Sequence, residues 1–463
     1  MADTHPLDPG FPPASEDAWR ALVAKTLGDK PFESLAKATV EGLPIAPLYA
    51  ASDRGPIFPS RPFCVDRPWD LRTLSAHPDP VRLNHELLAD LNGGAASVIV
   101  SGHASASALS VALKDVILEL ASVGLDAGFL GPQAAEALNG VAKASPAAKL
   151  NLNLDPISSF AEAGESPGPV AGHLEAAATV AVRLGQTYPE AQLFLASGRF
   201  AHESGGGEAL EIAVSATAAI VYAKSLVAAG LTVADAFSRI TLSLAADADY
   251  FVTIAKFRAA RVVFARIAGA SGAAPSARIE ARSSRRMLTA QDPWTNMIRL
   301  TVAGFGAAVG GADAVVLGTF SDALGQPTAM ARRQSRNSQL VLMEEANIGK
   351  VADPAAGSGY IESLTDQFAR AAWDRLQLIE VSGSLIAALQ SGLIAREIQT
   401  AVEMRGEPKI VGVTVFPPTD AAPAGVEPAT GVASPESARL PGDDSHCPPL
   451  KPMRLSEMYE VAA

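Results

Sequence analysis

The sequence predicts a (β/α)8 barrel, and three observations carry that reading. From about residue 82 onward, short β-rich runs alternate with alanine-rich amphipathic helices. Eight such runs occur, the number that closes a parallel sheet on itself. Hydrophobic residues make up 48% of the chain and aromatics only 6%, so the core is built of Ala, Val, Leu and Ile, which let helices sit close to a sheet. An open doubly wound sheet stays as the alternative on pattern alone.

Taken in order, residues 1–18 are rich in Pro and Asp and read as a mobile N-terminus. Segment 19–81 joins an amphipathic helix, "DAWRALVAKTL", to proline-marked extended stretches, "GLPIAPLYA" and "GPIFPSRPF". That make-up suits an arm that contacts a neighbouring subunit. The barrel and its following helices are assigned to 82–416. The strand candidates are "ASVIVSG", "DAGFLGP", "KLNLNLD", "QLFLASG", "SRITLSLAAD", "ARIEARSS", "DAVVLGTF" and "NIGKVADP". Residues 300–320 carry one charge in 21 and could by length cross a bilayer, but Gly310, Gly311 and Asp313 divide them into a helix and a β-branched strand. A long helical stretch covers 362–405, and "KIVGVTVF" (409–416) is extended. Residues 417–463 are Pro-, Ala- and Gly-rich and read as a linker-like tail, closed by a short helix in "MRLSEMYE".

A net charge of −12 argues against nucleic acid and anionic membrane as partners, since both select basic surfaces. Cys64 and Cys447 are far apart and outside any metal-ligand spacing, so no metal site is expected and a reducing cytoplasm fits best. The N-terminus has no basic region followed by an apolar core, so it does not read as a signal peptide.

Motifs narrow the chemistry. There is no GxxxxGK[ST] phosphate loop, and "GSG" at 357–359 lacks the strand–turn–helix context of a dinucleotide site. "DSHCPP" (444–449) echoes the D-x-H-x-x-G motif whose histidine ligates cobalamin cobalt, but the glycine is missing. Only 14 residues follow Pro449, so no C-terminal cobalamin-binding domain is expected. "DPWTNMIRLT" (292–301) sets Asp292, Asn296 and Arg299 at a helix start, a polar set that suits tying two elements together better than holding a ligand. "GRFAHESGGGEALEIA" (198–213) places His202 and Glu203, which can exchange a proton, against three glycines that let backbone approach a ligand.

Several long stretches together closely resemble the methylmalonyl-CoA mutase family. They are "RPWDLR" (67–72), "HESGGGEALEIA" (202–213), "AADADYFVTIAKFRAAR" (245–261), residues 286–315, residues 332–366 and "IVGVTVFP" (410–417). The resemblance runs from about Trp19 to Pro417. It implies a (β/α)8 barrel that threads acyl-CoA through its centre and works with adenosylcobalamin on a separate domain. In catalytic members a tyrosine follows the R-P-W motif, and Leu74 stands at that position here. A Tyr-His pair precedes the catalytic glycine loop, whereas this chain has Arg199 and Phe200, with His202 at a glutamine position. The substrate-wall segment after the third strand candidate and a tryptophan-bearing stretch near 283–286 are also replaced.

These departures resemble the non-catalytic small subunit of heterodimeric bacterial methylmalonyl-CoA mutases. The resemblance implies no catalytic residue in this chain, and a vestigial pocket around Arg199, Phe200, His202 and Glu203. It implies a large catalytic subunit as partner, methylmalonyl-CoA as the acyl-CoA isomerised to succinyl-CoA in the complex, and adenosylcobalamin bound mainly by the partner. The alternative is a catalytic acyl-CoA mutase barrel that works with a separate cobalamin-binding protein.

Overall fold

The computed structural model describes residues 14–50, 57–58, 60–62, 64, 67–419, 423–427 and 438–460. Of the segment read as a mobile N-terminus, 1–13 lie outside the described residues. Ser15 caps the helix Glu16–Leu27 by accepting a hydrogen bond from Ala18 N, so ordered structure starts earlier than the composition suggests. That helix buries none of its residues. The arm is tied to the body further on, where Glu41 accepts hydrogen bonds from Ala209 N and Leu210 N and pairs with Arg375.

Eight parallel strands close into a barrel. They are β1 (Asp70–Ser75), β2 (Ser97–Ser101), β3 (Ser122–Asp126), β4 (Leu150–Leu154), β5 (Gln192–Ser197), β6 (Ile240–Ala246), β7 (Arg278–Ser283) and β8 (Ala314–Val316). Each strand pairs with its neighbours in sequence, and β8 returns to β1. The (β/α)8 reading therefore holds and the open sheet does not. Strands such as β6 are buried at all seven positions, with helices over one face and the barrel interior on the other.

Two strand assignments are corrected. The first strand lies at 70–75, inside the segment read as an arm, because its alternating charges mimic an exposed stretch while facing the barrel interior. "NIGKVADP" is no strand; Asn347 at φ 55° leads into a single 3-10 turn, Ile348–Lys350. The third strand also sits just before "DAGFLGP", which forms the turn into the helix Gly131–Ala142.

Helices start where short polar side chains can cap them. Ser105, Asp155, Thr232, Asp249, Thr328 and Ser358 each accept a hydrogen bond from a first-turn amide. The stretch 362–405 is three helices, Gly359–Val381, Leu385–Gln390 and Leu393–Arg405, separated at Gly383 and Gly392. The helix Glu208–Ala228 is long and apolar enough by composition to cross a membrane, but it packs between β5, β6 and the helix Gly359–Val381. Residues 300–320 divide as expected, into the end of the helix Asn296–Val309 and then β8. "KIVGVTVF" is not extended: Val413 N, Thr414 N and Val415 N all donate to Ile410 O, which folds it into a tight turn.

The described part of the tail is not loose. Ser445–His446 pairs antiparallel with Glu165–Ser166, and Cys447 N donates to Gly164 O. Leu450 N, Met453 N and Leu455 N then donate to Ala161 O, Glu203 O and Arg286 O, so the chain is laid across the C-terminal end of the barrel. Its prolines remove donors that would otherwise be left unpaired in such a strap. "MRLSEMYE" ends in a single turn, with Glu460 N donating to Ser456 O, and not in a helix.

Candidate functional site: a barrel mouth above a buried ion-pair layer

Barrel interiors of this architecture are normally filled with Val, Ile and Leu. This one carries charges at alternate positions of β1 and β7, which the two-residue period directs to a common side. Arg72 Nη1 lies 2.7 Å from Glu280 Oε2, and Arg72 Nη2 lies 2.7 Å from Asp70 Oδ2. Arg282 Nε lies 2.7 Å from the other oxygen of Glu280, and its Nη1 reaches Asp126 at 2.8 Å. Asp126 ends β3, four strands from β7 around the closed sheet, so this contact crosses the axis. Ser97 Oγ accepts from Arg72 Nε at 2.8 Å and completes the layer.

Glu280 is fully buried at the centre of this layer. Burial pushes its carboxyl up, but Arg282 and Arg72 outweigh burial and hold it down at about 2. Desolvation pulls the Arg72 and Arg282 guanidiniums down, and their carboxylate partners more than reverse it. The layer separates two cavities. One of about 680 Å³ at the N-terminal end is lined by Asp70, Arg72, Asn151 and Thr241. The other, about 660 Å³, opens at the C-terminal mouth and is lined by Leu74, Asp126, Arg199, Glu203, Arg282 and Pro452.

The sequence-predicted positions divide into two groups. Leu74, Arg199 and Glu203 line the mouth. Phe200 and His202 do not: both are buried in the body behind the loop, which corrects their assignment to the pocket. His202 Nε2 is 2.9 Å from Ser284 Oγ and 3.3 Å from Asp247 Oδ2, while Nδ1 is 3.3 Å from Glu211 Oε2. Glu211 also pairs with the buried Lys256 at 2.7 Å and accepts from Ala245 N. Burial raises the Glu211 carboxyl, but Lys256 and His202 hold it at about 2. His202 is thus a strut in a buried ionic network that fixes the loop. Gly198 is required there, since a Cβ would stand 2.1 Å from Glu211 O. Glu203 accepts from the amides of Arg285 and Arg286 at 3.1 Å, which locks the loop to the end of β7.

Asn296 and Arg299 tie elements together, as their chemistry suggests, while Asp292 acts locally and accepts from Thr295 N and Oγ1. Asn296 Nδ2 donates to Thr289 O and Phe320 O, and Arg299 Nη2 donates to Val411 O.

Asp155, at the end of β4, also lines the mouth; it accepts from Ser158 N and Oγ and from the Tyr222 hydroxyl. Burial raises its carboxyl to about 7, although those hydrogen bonds oppose the rise. Between its ordinary 3.8 and about 7 the folded chain therefore holds a proton that the unfolded chain has lost. Stability from this group is full below about 3.8, falls as pH rises to about 7 and is level above that. Asp155→Asn is expected to flatten that decline, read as urea midpoints measured across the same pH range.

The charged interior layer was missed by sequence reasoning. Its signal was present in "DLRTLS" and "RIEARS", where charges recur every second residue inside strands whose two faces are both buried.

The sequence matches a family model described as Methylmalonyl-CoA mutase over residues 102–430. The chain is 36% identical to the methylmalonyl-CoA mutase small subunit of Streptomyces virginiae, over 94% of this chain and 76% of that one. It is 34% identical to the methylmalonyl-CoA mutase small subunit of Propionibacterium freudenreichii subsp. shermanii, over 84% and 67% of the two chains. It is 36% identical to a probable methylmalonyl-CoA mutase small subunit of Mycobacterium tuberculosis, over 78% of this chain and 62% of that one.

Proposed function

Given that this chain belongs to the methylmalonyl-CoA mutase family, we propose that it is a non-catalytic small subunit supporting a large catalytic chain in the isomerisation of methylmalonyl-CoA to succinyl-CoA. The observation that carries the non-catalytic reading is the Arg72–Glu280–Arg282–Asp126 layer across the barrel axis. An acyl-CoA threaded along that axis would have to separate these buried pairs and leave charges without partners, at a cost of several kcal/mol. The mouth supplies neither of the groups that a catalytic member carries: Leu74 has no hydroxyl, and Phe200 has no imidazole.

Adenosylcobalamin does not fit the residues present. His446 of "DSHCPP" belongs to the two-residue strand that pairs with Glu165–Ser166, and two prolines follow Cys447. His202 has both ring nitrogens directed at groups of its own network. The strap through Leu450, Met453 and Leu455 lies over the barrel mouth. In this reading the cofactor is held by the partner, and no chemical step is assigned to this chain. The net charge of −12 supports a function without nucleic acid or membrane, and two free cysteines, Cys64 and Cys447, support a cytoplasmic location.

The test is an assay with methylmalonyl-CoA and adenosylcobalamin, using the purified chain alone and with a large-subunit homologue. Turnover is expected only with the large subunit present. Turnover by this chain with a separate cobalamin-binding protein and no large subunit would establish the catalytic alternative instead. The double variant Leu74→Tyr/Phe200→His is expected to remain inactive by itself, because residue 200 does not face the mouth and the axis stays filled.

A further inference from the structure

The mouth cavity has its own unmet chemistry. Arg199 is half-buried at the start of the helix Arg199–Glu203, and among the described residues its guanidinium has no hydrogen bond and no ion pair within 4 Å. Its Nε is buried without an acceptor, as are Nη2 of Arg282 and Nδ2 of Asn153, which line the same cavity. A buried donor nitrogen with no acceptor is costly, so the site is short of an acceptor within hydrogen-bond reach.

The lining acids are mostly engaged already. Asp126 is paired with Arg282, Glu203 accepts two backbone amides, Asp155 accepts from Tyr222 and Ser158, and Asp322 accepts from Thr319. Glu162 alone among them has no donor within hydrogen-bond distance, and it lies close enough for Arg199 to draw its carboxyl down against the larger upward effect of burial. The wall also carries six aliphatic side chains, Leu74, Leu125, Leu195, Leu288, Val316 and Leu317, beside hydroxyls such as those of Ser101 and Ser159. Of the four lining arginines, Arg282 and Arg332 are paired and Arg285 is exposed to solvent. The buried unpartnered Nε of Arg199 beside these aliphatic side chains therefore matches a head carrying one negative charge on a short hydrocarbon chain. The engaged carboxylates disfavour a multiply charged phosphate.

We propose that the barrel mouth of this chain binds a free short-chain aliphatic monocarboxylate, with the carboxylate on Arg199 and the chain against Leu74, Leu195 and Leu288. The ligand carries no CoA, since the ion-pair layer beneath closes the route a pantetheine arm would take. It rests on the reading of the barrel as non-catalytic.

The test is a thermal-shift and calorimetric titration of the full chain with sodium butyrate and sodium hexanoate, against sodium chloride and sodium phosphate at matched ionic strength. Saturable stabilisation by both carboxylates and none by chloride or phosphate is expected. Arg199→Met is expected to weaken binding roughly tenfold or more, as loss of a charge-assisted pair does. Without ligand, the same variant is expected to melt higher than the parent, because a buried donor without an acceptor has been removed. Glu162→Gln is expected to tighten binding, since it removes the competing carboxylate. Absence of saturation, equal binding by Arg199→Met, or an equal response to phosphate would overturn the proposal. Acyl-CoA turnover by the isolated chain would instead sink the functional reading, so the two failures are distinguishable.

Discussion

Replacing Glu280 with Gln is expected to destabilise the chain by about 3–5 kcal/mol, the cost of breaking a buried pair by removing one partner. Among the described residues Glu280 is the sole carboxylate that touches both Arg72 and Arg282, and it is fully buried. An amide in its place leaves two guanidiniums facing each other across the axis with Asp70 and Asp126 at the outer ends only. The urea midpoint should fall accordingly, read by fluorescence with refolding checked. The charge-free variant Asp70→Asn/Arg72→Met/Asp126→Asn/Glu280→Met/Arg282→Met is the informative control, because Asp70 and Asp126 pair with the two arginines. With every charge of the layer removed together, its stability is expected to match or exceed the parent. A single variant as stable as the parent would mean that the layer is solvated and the axis open.

Lys256→Met is the second large effect, expected at about 3 kcal/mol, the low end for a broken buried pair because His202 still faces Glu211. It also carries a pH signature. Glu211 is held at about 2 against an ordinary 4.5, so its contribution is present above about 4.5 and lost as pH falls towards 2. Glu280, also held at about 2, adds to the same acid limb. Removing Lys256 raises the Glu211 carboxyl, which should move the acid-unfolding midpoint to higher pH. Far-ultraviolet circular dichroism against pH measures it, and an unchanged midpoint would remove Lys256 from the network.

Much of the fold was legible because scaffold positions obey local rules. The alternation of apolar runs and capped helices located seven of the barrel strands to within a few residues, the third somewhat late. The eighth was misplaced for a physical reason. β1 reads as a charged, solvated segment because Asp70 and Arg72 are polar, yet the Glu280 that pairs with Arg72 comes from a strand 208 residues away. No local pattern reveals such compensation. The tail was misread likewise: a Pro-rich composition looks mobile, while amides at Cys447, Leu450, Met453 and Leu455 find acceptors only once the barrel exists.

In the candidate site, Leu74, Arg199 and Glu203 were found by position and do line the mouth. Phe200 and His202 were not placed correctly, because neighbours on one short helix project in different directions. His202 lies next to Glu203 in sequence, yet it points into the ionic network of Glu211 and Asp247 while Glu203 faces the cavity.

The claim on which the functional reading depends is that the barrel axis is closed. Equilibrium binding of a non-isomerising acyl-CoA, propionyl-CoA, to the isolated full chain tests it most directly. The Arg72–Glu280–Arg282–Asp126 layer predicts no saturable binding up to millimolar ligand. One-to-one binding at micromolar concentration, lost when the mouth-lining Leu195 is replaced by Trp, would show that the pantetheine path is open and would contradict it.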